Sequence, residues 1–420
     1  MSLNNDRSYK MKLRDVENAF KYRRIPYPKR SVELIALLAI SCTFFLFMHT
    51  NKLNSRLKEM EVKLQPSEFS ALGLTGGNNH ISGHDAGKHD DINTLHGTFE
   101  YLKSTGQIFQ LNAQELNNTG KADIDVLFFN RVPKTGSMQM IELMRQLGKV
   151  HDYDVEVDTQ TGGIIPILEP VEESDWTENI SNLEDGSVFV SHVNYLNFSK
   201  YEQPKPIYIN MVRDPVERVI SWYYFIRAPW IFVPGRRRSN REMPNPKWVN
   251  TEFDQCVLNG EKVCTYIEGS QLERVGDHRR QTLFFCGHNE HKCIPFNTRL
   301  ALQVAKMNVE REYAVVGTWE HTNETLAVLE AYVPRYFADA TKMYYSGLHG
   351  EIINDNPMKP HISQDIIDMV RRNFTREIEF YQFCRQRLHK QYLALKLNEL
   401  MRVDKSLMRL NEARSMVIRN

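Results

Sequence analysis

The sequence predicts an α/β protein with a central, mainly parallel sheet flanked by helices, preceded by a single transmembrane helix. Three observations predict it. From about residue 121, short β-branched or aromatic runs alternate with segments whose apolar residues recur at helical spacing. Two of those runs pass directly into a loop of small residues or proline and then into a helix, which is the order of strand–loop–helix units. Near the start, Leu34 to Met48 (LIALLAISCTFFLFM) is almost uninterrupted apolar sequence, and its extension to residues 31–50 reaches the length a bilayer requires.

The elements follow in order. Residues 1–30 read as a cytosolic tail, because they carry nine Lys/Arg against three Asp/Glu. That bias predicts a cytosolic N-terminus and a luminal chain after residue 50. A cleaved signal peptide is the rival, but about thirty residues precede the apolar core and no small-x-small cleavage site follows it. Residues 51–120 read as a luminal stem. Leu53, Leu57, Met60 and Leu64 allow a short coiled coil there. Residues 66–98, rich in Gly, Asn, Asp and His, read as a flexible linker whose histidines lack metal-ligand spacing. Residues 121–398 are the globular domain, with candidate strands IDVLFF, SVFVSHV, PIYINMV and YAVVG. Its candidate helices are 137–147, 216–227, 299–308, 323–334 and 363–398. Residues 399–420 form a basic, amphipathic tail.

With 53 Lys/Arg against 52 Asp/Glu, the chain has no whole-molecule field for a polyanion. Nucleic acid is therefore not an expected partner, and any anionic ligand must meet a local patch. N-x-[ST] sequons at Asn117, Asn179, Asn197, Asn323 and Asn373 fit a luminal body. Of six cysteines, Cys42 lies in the apolar segment. Cys256 with Cys264 and Cys286 with Cys293 are spaced for small-loop disulfides in an oxidising compartment, though four cysteines allow three pairings. Zinc fits poorly, since neither pair is C-x-x-C. Cys384 is left as a buried thiol. No His/Asp/Glu/Cys cluster at ligand spacing is seen near the site, so no metal is expected.

The chemistry begins at FFNRVPKTGSMQMIELMRQLG, Phe128 to Gly148. An apolar run enters a loop holding Lys134, Thr135, Gly136, Ser137 and Met138, and a helix follows. Backbone N–H groups and the positive end of a helix suit a phosphate there. G-x-x-x-x-G-K-[ST] is absent and the lysine precedes the glycine, which counts against a P-loop kinase. A second unit, KPIYINMVRDPVERVISWYYFIR, ends its strand at Val212 and opens a helix through Pro215. Arg213 can fork onto a phosphate, and Ser221, two turns on, can reach the same anion. Trp222 to Phe225 read most simply as helix packing. Two anion loops call for a nucleotide phosphorylated at two separate places.

That pair, PKTGS and RDP-x5-S, resembles the 5′-phosphosulfate loop and 3′-phosphate motif of sulfotransferases that use 3′-phosphoadenosine 5′-phosphosulfate (PAPS). NRVPKTGS, HVNYLNFSKY, KPIYINMVRDPVERVISWYYF, PGRRR, FFCGH and EREYAVVG, in this order, resemble the uronyl/heparan sulfate 2-O-sulfotransferases. That family includes the heparan sulfate and dermatan/chondroitin uronyl enzymes and the insect Pipe proteins, which are the most similar branch. The resemblance implies a P-loop-like sulfotransferase fold over about residues 121–395 and a Golgi type II membrane enzyme. The expected reaction moves sulfate from PAPS to the 2-OH of a uronic acid in a glycosaminoglycan. It also implies the roles of Lys134 at the leaving oxygen and of His192, in the H-V-x-[YF]-L-x-F motif, as the base. Histidine suits proton abstraction near neutral pH.

The chain departs from the family pattern at Val190, where heparan-acting members tend to carry a second histidine, and at Met138, often a small polar residue. Both departures bear on the acceptor rather than the donor. Arg236, Arg237 and Arg238 of PGRRRSNR form the densest luminal basic cluster, suited to uronic acid carboxylates, and Arg131 is a second acceptor candidate by resemblance. Two rival functions are a sulfotransferase for glycans of secreted glycoproteins and a catalytically inactive glycan-binding type II membrane protein. Related enzymes commonly form trimers, and the stem heptads allow one.

Overall fold

A computed structural model describes residues 93–158, 167–238, 240, 242–271, 277–347 and 360–418. The expected cytosolic tail, membrane helix, coiled coil and most of the stem lie outside these residues. Among them, no helix is long and apolar enough to cross a membrane.

The main elements are α1 (Leu95–Ser104), β1 (Leu127–Asn130), α2 (Ser137–His151), β2 (Val155–Val157), α3 (Pro170–Ser181), β3 (Val188–Ser191), β4 (Ile207–Val212), α4 (Pro215–Arg227), α5 (Pro229–Arg238), α6 (Thr282–Cys286), α7 (Arg299–Glu312), β5 (Tyr313–Thr318), α8 (Thr322–Tyr332), α9 (Gln364–Asn373) and α10 (Thr375–Ile418). The five strands form one sheet in the order β2-β3-β1-β4-β5, and every pairing is parallel. β1 and β4 are buried along their whole length, as strands covered on both faces must be. The two-residue side-chain period then divides them between two cores. Leu127, Phe129, Ile207, Ile209 and Met211 pack with α2 and α8 on one face. Phe128, Tyr208 and Val212 pack with α6 and α7 on the other. A third cluster gathers Val216, Val219, Ile220, Tyr223 and Tyr224 of α4 with Phe253, Tyr266 and Phe296.

The four predicted strands and the parallel sheet are present. β2, a three-residue strand at one edge of the sheet, and α3 were not anticipated. α3 starts at a capping box built from Glu169 and Glu172 rather than from Ser or Thr. The stretch 363–398, read as one helix, breaks at Phe374, which is fully buried against Tyr266 and Phe296. α10 then continues through Ile418 with no break near residue 398. Leu95 to Thr98, read as the end of a flexible linker, instead belong to α1. There Thr94 caps the helix and Phe99 and Leu102 are buried.

Candidate active site at the carboxyl end of the sheet

β1 has β3 on one side and β4 on the other. The chain turns back across the sheet at that point, and ligands of open α/β sheets bind in the crevice outside the strand ends there. The loops that leave these ends carry Arg131 to Gly136 after β1, His192 after β3, Arg213 after β4 and Trp319 after β5. Sequence reasoning named the first three. A buried polar knot holds the ends together: Asn210 donates to the Asn130 carbonyl (2.7 Å) and side-chain oxygen (2.9 Å). Tyr313 donates to the same side chain at 3.0 Å, and Asn130 donates onward to the Phe284 carbonyl at 2.9 Å. All of this lies in a core where an unpaired partner costs about 1–3 kcal/mol.

The loop after β1 is tightly built. Lys134 has φ 66°, a left-handed conformation that side chains other than Gly, Asn or Asp rarely adopt. Buried Thr135 donates to the Val132 carbonyl at 2.9 Å. Gly136, at φ 84°, precedes α2, and no side chain caps that helix start. The N–H groups at the positive end of this 15-residue helix are therefore left without a side-chain cap, directly after the loop that leaves β1. Lys134 Nζ lies 4.1 Å from the centre of the Phe225 ring on α4. Burial, reinforced by the neighbouring Arg213 charge, pushes its pKa down to about 8. A partly desolvated ammonium so held gains strongly from an incoming anion, which would draw its pKa back up. Ser137 is buried at the helix start, whereas Met138 is half exposed and its sulfur accepts from Arg131 at 3.1 Å.

In the second unit the two halves of R-D-P separate in function. Asp214 caps α4 by accepting from Val216 (2.9 Å) and Glu217 (3.0 Å). Its carboxylate also meets Arg371 at 3.5 Å. Arg213 is not the partner of that turn; its guanidinium meets only Glu217, at 3.5 Å, among the ion pairs described. Ser221 and Phe225 are four residues apart on α4 and share a face, so the face that reaches Lys134 also carries the serine. Trp222 stacks on His278 with ring centres 5.8 Å apart. Thus Tyr223 and Tyr224 are packing residues as expected, but Trp222 and Phe225 are not simply core.

His192 follows β3, one residue after the pair Asn130–Ser191. Its Nδ1 lies 2.9 Å from the Arg131 carbonyl oxygen. A carbonyl only accepts, so Nδ1 carries the proton and Nε2 keeps its lone pair. Burial and the nearby Arg131 charge hold the imidazole pKa down at about 4, against the opposing pull of that hydrogen bond and Asp158. The ring is a neutral base at physiological pH. Val190, two residues earlier, is fully buried in the core beside Leu127 and Phe129, so nothing at that position faces the crevice.

Trp319 is a site residue that sequence reasoning missed. With Gly136, Gln139, Thr322 and Tyr344 it lines a small crevice beside the loop after β1. The only available signal was its position directly after a strand. Arg236 and Arg237 lie on α5 rather than in a loop, and Arg236 donates to the Glu242 carbonyl at 3.1 Å. Arg238 closes the same helix. Cys256 pairs with Cys264 and Cys286 with Cys293, while Cys384 is a buried free thiol. Asn179, Asn197, Asn323 and Asn373 are exposed. Asn117 is partly buried, and its amide donates to the Tyr332 carbonyl at 3.3 Å.

Comparison with known proteins returns a consistent set. The model of the Sulfotransferase family matches residues 121–384. The chain is 46% identical to the Drosophila melanogaster protein called uronyl 2-sulfotransferase homolog pip, over 94% of this chain and 95% of that one. It is 32% identical to heparan sulfate 2-O-sulfotransferase 1 of Homo sapiens, over 62% of this chain and 69% of that one. The Gallus gallus protein of that name matches to the same extent.

Proposed function

The chain belongs to the sulfotransferase family, and from that premise we propose that it moves the sulfuryl group of PAPS to the 2-OH of a uronic acid in a glycosaminoglycan. The names of its relatives, a uronyl 2-sulfotransferase homolog and heparan sulfate 2-O-sulfotransferases, support the reaction and the acceptor class. The observation that carries the reading is the neutral His192, tied through Nδ1 to Arg131 beside the donor loop, with Nε2 left to accept a proton.

When bound, the donor supplies an electrophilic sulfur with a phosphate leaving group. Every other part falls to the protein. His192 Nε2 takes the proton of the sugar hydroxyl as its oxygen forms the new bond to sulfur. Lys134, aided by the N–H groups of Thr135, Gly136, Ser137 and Met138, stabilises the oxygen released when the old sulfur–oxygen bond breaks. As in phosphoryl transfer, most of the work is alignment and charge neutralisation in a water-poor crevice. Arg213 and Ser221 hold the 3′-phosphate. Arg131, Arg236, Arg237 and Arg238 meet the carboxylates and sulfates of the acceptor. The residue pattern before position 50, the two disulfides and the exposed sequons support a luminal, Golgi-anchored type II enzyme.

Met138, half exposed where the family often has a small polar residue, favours one alternative, a related acceptor on glycans of secreted glycoproteins. Incubating the detergent-solubilised full-length protein with labelled PAPS, desulfated glycosaminoglycans and secreted glycoproteins separates the readings. Label on a uronic acid polymer, lost in His192→Ala and Lys134→Ala, is the expected result. Label on glycoproteins alone would move the acceptor. No transfer despite tight binding of adenosine 3′,5′-bisphosphate would favour an inactive glycan-binding protein.

A further inference from the structure

We propose that Gln281 and Glu320 are positioning residues that clamp the backbone of Arg213 and Asp214, so that the Arg213 side chain meets the donor's 3′-phosphate already aligned. The proposal rests on the reading of Arg213 as a 3′-phosphate ligand.

Gln281 comes from just before α6, 68 residues away in sequence. Its side-chain oxygen accepts from the Arg213 N–H at 3.2 Å, and its side-chain N–H donates to the Arg213 carbonyl at 2.7 Å. The amide thus closes a two-bond ring on a single residue, which restrains the two peptide groups on either side of the Arg213 Cα. Gln281 is itself fully buried and anchored, because its backbone N–H donates to Glu377 at 2.8 Å. The buried Glu377 also accepts from both the N–H and the hydroxyl of Thr282. Glu320, from the turn after β5, accepts from the Asp214 N–H at 2.8 Å, while Tyr381 donates to its other oxygen at 2.9 Å.

These contacts fall on backbone and leave the guanidinium available for a ligand. A strand end with unsupported peptides would pay the ordering entropy each time the phosphate bound. Here two long-range side chains have met that cost in folding. Neither residue touches the ligand in this account; each acts through Arg213.

The test measures calorimetric affinity of the full-length protein for two probes, adenosine 3′,5′-bisphosphate and adenosine 5′-monophosphate, which lacks the 3′-phosphate. Gln281→Met and Glu320→Ala are expected to weaken the bisphosphate about tenfold, the scale of one charge-assisted hydrogen bond, and to leave the monophosphate within about twofold. Glu320→Gln should restore bisphosphate affinity, since an amide can still accept from Asp214 while its NH2 group donates to the Tyr381 oxygen. Equal weakening of both probes, or no weakening of the bisphosphate, overturns the positioning role. A wild-type protein that binds both probes equally overturns the 3′-phosphate reading itself, and this proposal with it. Thermal melts of each variant separate either result from loss of the fold.

Discussion

Gly136→Ala offers a sharp test of the donor loop. At φ 84° the position is left-handed, and an added Cβ would lie 2.1 Å from Trp319 Cε3 and 2.5 Å from Cζ3. Carbon atoms in contact sit about 3.5–4.0 Å apart, so loop and ring would have to separate by about 1.5 Å. The left-handed backbone costs about 1–2 kcal/mol for an alanine, and overpacking adds about 1–3 kcal/mol. A melt should therefore fall by about 5–10 °C. If the loop yields instead of the ring, the misplaced N–H groups should lower kcat/KM about 100-fold. Thermal melts and labelled-donor kinetics read these two quantities, and calorimetry with adenosine 3′,5′-bisphosphate reads donor-site affinity, which should fall with kcat/KM if the loop yields. Trp319→Ala in the Gly136→Ala background should recover the overpacking share but not the backbone share. Wild-type melting and donor affinity in Gly136→Ala, or a double variant no better than the single one, would refute the argument that ring and loop are packed against each other.

Other expectations follow from the same geometry. His192→Asn should lower kcat by about 10²–10⁴-fold while leaving adenosine 3′,5′-bisphosphate affinity within about twofold, because in the proposed mechanism the base acts on the acceptor and not the donor. The profile of kcat/KM against pH should be bell-shaped. Activity is lost on the acid side as His192 gains a proton near its pKa of about 4, and on the alkaline side as Lys134 loses one near about 8. Lys134→Arg should move the alkaline limb upward. Stability should fall on acidification, since burial holds His288 and His321 down at about 4, below the ordinary value near 6.5. The unfolded chain then binds protons first as pH drops from about 6.5 toward 4, at a cost on the order of 1–3 kcal/mol per histidine, readable as a lower melting temperature at pH 4.5 than at 7.5. Reducing the disulfides, whose partners are separated by 8 and 7 residues, should remove about 2–3 kcal/mol each.

The parts of the fold readable from the chain are those governed by local periodicity. β1, β3, β4 and β5 are strongly apolar short runs, and α2 carries Met140, Leu143, Met144 and Leu147 as a stripe that is buried as expected. Each of these signals lies within one element and needs no partner to be seen. β2 is only three residues with a half-exposed pattern, and α3 has a weak stripe and an acidic cap, so neither offers enough local contrast to stand out. The break at Phe374 was invisible for another reason: apolar periodicity runs through it, and only the pocket formed by Tyr266 and Phe296 selects a bend there.

The same division runs through the candidate site. The lysine-first loop, the arginine after β4 and the histidine after β3 were legible because a strand, a turn and a helix start are each encoded by neighbouring residues, and their order in the chain carried the resemblance. Their companions were not. Phe225 under Lys134, Trp319 against Gly136, and Gln281 and Glu320 on the Arg213 backbone come from distant parts of the chain. The protonated nitrogen of His192 likewise depends on a carbonyl 61 residues away. The sequence by itself determined which chemical groups stand at the strand ends, because those choices are local. Only the tertiary structure decided which groups hold them in position and shift their charge, because burial and long-range hydrogen bonds exist only once the sheet has brought the strand ends together.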